Sequence, residues 1–155
     1  MVTPKQIVEL YSARSLTCAT AESCTGGGIG ALITSVSGAS EVFKGGIISY
    51  ANEVKRDVLG VSQEILDAFG AVSSECAKAM AVGARKVIGV DVAVAVTGIA
   101  GPGGGTKEKP VGLVYFGVSS SKGEKTARKV FLGTREEIRI ATQEYALALL
   151  AEAAI

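Results

Sequence analysis

The run Asp91–Thr97, Asp-Val-Ala-Val-Ala-Val-Thr, limits the architecture of this chain more than any other segment. Its apolar residues do not alternate with polar ones, so a strand built from it is covered on both faces. Such a strand belongs in the middle of a sheet with helices packed on either side. The flanking patterns supply those helices. Thr3-Pro4 reads as an N-cap followed by proline at the first helical position. Ile7, Val8, Leu10 and Tyr11 then mark an amphipathic helix ending near Ser12. Leu16–Ala21 is a first strand, and Ile29, Leu32, Ile33 and Val36 mark a second helix ending near Gly38.

Val42–Tyr50 reads as a second strand. Asn52 is a good N-cap for a helix reaching about Leu59, a short helix follows from Ser62, and a longer one runs from Ser73 or Ser74 to Ile88. After the apolar strand comes a loop, Gly98–Pro110, rich in glycine and proline. Val111–Ser119 and Ala127–Leu132 form a hairpin around Lys122-Gly123, and Thr134-Arg135-Glu136-Glu137 is a capping box that opens a final Ala- and Leu-rich helix. Helices interleaved with strands predict an α/β fold, a three-layer α/β/α sandwich whose sheet is mixed and mostly parallel. No repeat or linker divides residues 1–155, so a single domain is expected.

Composition excludes several function classes. Among 155 residues there is no histidine, which removes Ser-His-Asp and Cys-His catalysis and His-ligated metal sites together. Acid–base work then falls to Lys, Tyr, Asp, Glu or Cys. The three cysteines, Cys18, Cys24 and Cys76, are odd in number and widely spaced, unlike a disulfide framework or a zinc site. A net charge of +1 and 5% aromatic residues offer little to nucleic acid. Apolar runs such as Val92–Val96 are too short to cross a bilayer, and Met1 leads into Thr3-Pro4-Lys5 with no signal-peptide hydrophobic region. A cytoplasmic protein is expected, with no nucleic-acid or membrane partner and no cofactor or metal.

Four constellations could carry chemistry. Glu22-Ser23-Cys24-Thr25-Gly26-Gly27-Gly28 lies between a strand and a helix, where glycines let a ligand approach the backbone and the helix start offers free N–H groups. Ser23 would stand at the carboxyl end of a strand, where ligands collect in α/β sheets; the alternative is that Ser23 and Thr25 only cap the helix. A formal GxGxxA match through Gly26, Gly28 and Ala31 lacks the acidic residue that a dinucleotide site needs after the next strand. In Tyr50-Ala51-Asn52-Glu53-Val54-Lys55, an Asn52 cap places Lys55 third in the helix. There the macrodipole and partial burial favour the neutral amine; the alternative is a solvated lysine paired with Glu53 or Asp57. Tyr50 could orient the lysine or relay a proton. The loop from Thr97 and Gly98 to Pro110 follows a strand end and so could face the same crevice as Ser23, with Thr97 as its ligand contact; it lacks the GK[ST] of a P-loop. Arg135 and Arg139 share a helix face, and either could bind a phosphate. Cys24 is a rival nucleophile or a small buried hydrophobe.

These stretches, together with Gly70-Ala71-Val72-Ser73 and Lys109-Pro110-Val111-Gly112, closely resemble the CinA C-terminal domain family, in order and over nearly the whole chain. The enzymatic members of that family are nicotinamide-nucleotide amidases. Larger members carry an additional N-terminal domain, which a sequence of 155 residues is not expected to include. The resemblance implies hydrolytic deamidation of nicotinamide mononucleotide to nicotinate mononucleotide and ammonia, an α/β/α sandwich and, commonly, a homo-oligomer. It implies Ser23 as nucleophile, with Lys55 and Tyr50 as catalytic partners. Thr25, Gly26, Gly27, Ser40, Thr97, Gly98 and Arg139 are then expected to bind substrate. The chain departs from the family at Ala51, where serine is frequent, and at Thr134, where an aspartate often precedes the arginine. The rival expectation is a nucleotide-binding module without turnover, in a regulatory or competence-related role, which would not need Lys55 near Ser23.

Overall fold

In the computed structural model, which describes residues 1–155, the apolar run forms strand β3 (Val92–Gly98), taking its place after the helices α1 (Pro4–Ala13), α2 (Gly28–Thr34), α3 (Asn52–Asp57), α4 (Gln63–Phe69) and α5 (Ser74–Ile88) and the strands β1 (Cys18–Glu22) and β2 (Phe43–Ile48). Strands β4 (Leu113–Ser120) and β5 (Gly123–Val130) and helix α6 (Arg135–Ala153) complete the chain. The sheet order is β2-β1-β3-β4-β5. β1 pairs in parallel with both β2 and β3, while β3–β4 and β4–β5 are antiparallel, so four strands run one way and β4 runs against them.

The two faces of β3 differ in size. Val92, Val94 and Val96 join a core with Ile7, Tyr11, Ile29, Ile33 and Leu147 under α1, α2 and α6. Ala93 and Ala95 join Ala19, Ala21, Cys76, Met80 and Ala81 in a second core under α5. Small residues on that face let α5 lie close to the sheet: a Cβ at Gly117 would stand 2.2 Å from the Ala77 carbonyl oxygen. Between β2 and β3 the chain also lays α3 and α4 on the α5 side, with Leu59, Val61 and Leu66 buried there. This is the three-layer arrangement expected.

The local signals are realised at most helix starts. Thr3 and Gln6 form a reciprocal capping box, Ser62 and Ser73 accept from the third residue of their helices, and Thr134 and Glu137 form a second box. Two expectations shift. Helix α3 is capped by Ala51, with no side-chain hydrogen bond, so Asn52 is its first residue and Lys55 its fourth rather than its third. The second hairpin strand begins at Gly123, not Ala127. Its sequence, Gly-Glu-Lys-Thr-Ala-Arg-Lys-Val, is almost wholly exposed and so carries no apolar period; charged residues suit a sheet edge. No helix is long and apolar enough to cross a membrane.

Gly117→Ala should lower the unfolding free energy by about 1–3 kcal/mol, the range for overpacking against an unyielding neighbour; urea denaturation of the variant measures it directly.

Candidate active site

The parallel strands β1, β2 and β3 all point their carboxyl ends to one edge of the sheet, and Ser23 is the first residue beyond β1. Its N–H still donates to Val96 O (3.1 Å), and on the other side Ser49 N–H donates to Glu22 O (2.8 Å), so the start of the turn is fixed to both neighbouring strands. The chain then reverses through Gly26 (φ +58°) and Gly27 (φ +99°), left-handed conformations that favour glycine.

The helix that follows does not offer its first N–H groups to a ligand. Glu22, 1% exposed, turns its carboxylate under the turn and accepts from Ile29 N–H (2.9 Å), Gly30 N–H (3.0 Å), Thr25 Oγ1 (2.6 Å) and Thr20 Oγ1 (3.0 Å). The anion at the start of α2 is therefore the chain's own. Neither Ser23 nor Thr25 caps the helix; Thr25 is a donor to Glu22. Sequence reasoning missed this role of Glu22. The available signal was a carboxylate ending an otherwise apolar strand, a group that has to be satisfied internally once buried.

Lys55 is 1% exposed, and its Nζ reaches both Ser23 Oγ (3.0 Å) and Tyr50 O (3.0 Å). No carboxylate pairs with it. The salt bridge considered for it belongs to its neighbour, Arg56 to Asp57 at 2.8 Å. Burial lowers the Lys55 pKa from its ordinary value, with the nearby Cys76 and Cys24 opposing in the other direction. The cause is desolvation rather than the macrodipole, since Lys55 sits in the middle of a six-residue helix. The Lys55 ammonium donates to both the Tyr50 carbonyl and the Ser23 hydroxyl oxygen, and on losing a proton it would have a lone pair within reach of that hydroxyl. The Tyr50 contribution to Lys55 is thus its carbonyl. Its ring is 63% exposed, and its phenol oxygen accepts from Arg135 Nη2 at 3.4 Å.

Ser23, Lys55, Tyr50, Thr97, Gly98 and Arg135 line one cavity of about 210 Å³, together with Cys24, Asn52, Ala71, Val72 and Ala100. The Thr97 hydroxyl donates to Ala71 O (2.9 Å), and Arg135 Nη1 donates to Gly101 O (2.8 Å) at the rim. Thr25, Gly26, Gly27 and Arg139 lie outside the cavity wall. Arg139 is spent on the turn itself, donating from Nε to Cys24 O and from Nη2 to Thr25 O, both at 3.1 Å. Of the two arginines on this helix face, Arg135 is the one beside the cavity. Ser40 lies on a single 3-10 turn, Ala39–Glu41, before β2, at the opposite end of that six-residue strand from Tyr50. That is a separation on the order of 20 Å along the sheet, so one chain does not bring Ser40 to Ser23.

A larger groove of about 790 Å³ runs along the outer side of α5, but no hydroxyl or thiol lines it. No cluster of three His, Cys, Asp or Glu side chains gathers anywhere in the chain. Burial raises the thiol pKa of Cys24 to about 11, of Cys76 to about 11 and of Cys18 to about 12. At neutral pH Cys24 is a protonated, buried thiol beside a hydroxyl that is bonded to Lys55.

Comparison with known proteins places the chain in a family and matches its fold. The family model of the CinA C-terminal domain matches residues 2–154. A putative competence-damage inducible protein of Moorella thermoacetica is 49% identical over 91% of this chain and 34% of its own length. A CinA-like protein of Gloeothece citriformis is 54% identical over 78% of this chain and 29% of its own. The chain thus spans about a third of the length of these curated relatives. The crystal structure of the competence/damage inducible protein CihA from Agrobacterium tumefaciens superposes with a TM-score of 0.95 at 43% identity, covering 97% of this chain and 92% of that one.

Two measurements probe the site without any assay of turnover. Iodoacetamide should label none of the three cysteines of the folded protein at neutral pH on a timescale that labels the urea-unfolded chain completely, as mass spectrometry would read. Lys55→Met separates the protonation cost from packing. The folded state releases the Lys55 proton below the ordinary 10.5, while the unfolded chain holds it to that value. Between the two pKa values the unfolded state binds more protons, so the wild-type protein gains stability as pH rises through that window and the variant does not. The Tm of the wild type minus that of the variant should therefore increase between neutral pH and about pH 10.

Proposed function

Since the chain belongs to the CinA C-terminal domain family, we propose that it is an amidohydrolase that converts nicotinamide mononucleotide to nicotinate mononucleotide and ammonia. The observation that carries this reading is the 3.0 Å contact between Lys55 Nζ and Ser23 Oγ, both buried, in a chain with no histidine. Serine with a lysine base is an established alternative to serine with histidine.

In this reading neutral Lys55 takes the Ser23 proton as Oγ attacks the carboxamide carbon. The resulting ammonium returns the proton to the amide nitrogen, the C–N bond breaks, and ammonia leaves. Water then adds to the acyl-serine, with Lys55 again taking the proton, and the carboxylate product departs as Ser23 recovers its hydrogen. The cavity of about 210 Å³ accommodates the pyridine carboxamide end, being smaller than the roughly 300–1,000 Å³ that enclose whole drug-sized ligands. Ribose and phosphate then lie across the open mouth, where the Tyr50 ring is exposed and the Arg135 guanidinium offers a bidentate partner for phosphate. Arg139 serves by holding the carbonyls of Cys24 and Thr25 and so the path of the turn.

A binding module without turnover has little use for an amine buried without a carboxylate. Such a charge costs stability, and it gains a purpose when the neutral form is the base. The names of the relatives speak of competence and damage induction and of no reaction.

Ser23→Ala should abolish ammonia release from nicotinamide mononucleotide while product binding, read by calorimetry, stays within a few-fold of wild type; Cys24→Ala should keep most of the activity. For the wild type, kcat/KM should rise with pH and level off at a pKa below the ordinary lysine value, because only neutral Lys55 is the base. Full activity in Ser23→Ala, or loss in Cys24→Ala alone, would move the nucleophile elsewhere.

A further inference from the structure

The pairing of β1 with β3 stops one rung early, and it stops beside Ser23. Residues 92, 94 and 96 of β3 are the ones whose backbone groups face β1: Val92 N–H donates to Thr17 O (3.1 Å), and Val96 O accepts from Ser23 N–H (3.1 Å). The register Glu22↔Val96 continues this pattern to a bond from Gly98 N–H to Ser23 O. That bond is not made. Ser23 O accepts instead from Gly26 N–H (3.1 Å), because the chain has already turned. Nor can β4 take the donor, since the odd-numbered residues face that strand, as Ile99 N–H to Leu113 O (2.9 Å) shows.

Gly98 N–H is therefore a backbone donor without a partner in the chain, on a residue that lines the same cavity as Ser23 and Lys55. Unpaired N–H groups in protein interiors are rare, and such a group at a cavity wall is available to a ligand. Cys24 N–H is in the same condition. It has no backbone or side-chain acceptor elsewhere in the chain, and Cys24 also lines the cavity. Both peptides are held from behind. The carbonyl of the Ser23–Cys24 peptide is fixed by Gly26 N–H, and the Thr97–Gly98 peptide is clasped by β4, where a Cβ on residue 98 would meet Leu113 O and Val114 Cγ2 at 2.7 Å each. A planar trans peptide fixed at one edge is fixed at the other.

We propose that the N–H groups of Gly98 and Cys24 form the oxyanion hole of this site, one from each of the two parallel strand ends. This rests on the amidohydrolase reading. As Ser23 Oγ bonds to the carboxamide carbon, the C=O π pair moves onto the oxygen, and the two N–H groups receive that charge. When the C–N bond breaks, the pair returns to restore the carbonyl of the acyl-serine. The same donors serve the second addition, by water. The helix start plays no part, since its N–H groups are occupied by Glu22. The interrupted ladder thereby leaves a donor on the β3 side of the nucleophile, with the base on the other.

The test is an amide-to-ester exchange in the full chain, with glycolate in place of Gly98, which removes the N–H and leaves the backbone path intact. Ammonia release from nicotinamide mononucleotide should fall by about 10²–10³-fold in kcat in a protein that still folds, since the exchange costs the free protein only a weaker ester carbonyl at Thr97, which pairs with Tyr115 of β4. Glycolate in place of Gly104, at the exposed loop tip, should be as active as the wild type. A Gly98 ester that keeps kcat within two-fold overturns the assignment. A wild-type protein that releases no ammonia from this nucleotide instead overturns the functional reading itself, and the oxyanion hole with it.

Discussion

The carboxylate of Glu22 joins the last residue of β1 to the first turn of α2, and the geometry of the site depends on that junction. Two backbone N–H groups and two threonine hydroxyls converge on it in a place sealed from water. Charge-assisted bonds of this kind offset the desolvation of a buried carboxylate, and an unpaired charge there would cost several kcal/mol. With Glu22 beneath the turn and Arg139 gripping two of its carbonyls from α6, residues 23–27 have one path to follow. Ser23 is thereby set against Lys55 on one side and against the interrupted β3 rung on the other.

Lys55 represents the opposite arrangement. Its amine is as deeply buried as Glu22 but has no counter-charge, only a hydroxyl and a carbonyl. A buried group that costs stability and still has well-formed hydrogen bonds is a mark of a functional site. The sheet accommodates the pair through its asymmetry. Valines on one face of β3 make the larger core, and alanines on the other bring α5 close, so the connection through α3 and α4 lies low over the strand ends. That is how a lysine from this connection reaches a serine 32 residues earlier.

Much of the fold was legible in the sequence. The caps at Thr3, Ser62, Ser73 and Thr134 are local devices, complete within four residues, and the apolar run at 92–96 carried its central position in its own pattern. The edge strand β5 was legible only in part, because an exposed, charged strand lacks the alternation that reveals a half-buried one. The cap of α2 was illegible for another reason. Glycine stands at the N-cap, and the acceptor arrives from seven residues upstream, beyond the span of any capping motif.

The site divides along the same line. The residue order alone set the chemistry on offer, since with no histidine any base would be a Lys, Tyr, Asp, Glu or Cys, and few of these stand beside glycine-rich strand ends. It also determined the turn after Ser23, through glycines that alone adopt those angles with ease. The burial of Lys55, the placing of Arg135 rather than Arg139 at the cavity, the distance of Ser40 from Ser23 and the unpartnered N–H of Gly98 came with the folded chain. Each of these depends on how segments far apart in the chain stack and register. That information is held in the packing of two cores against one sheet, not in the spacing of residues along any single segment.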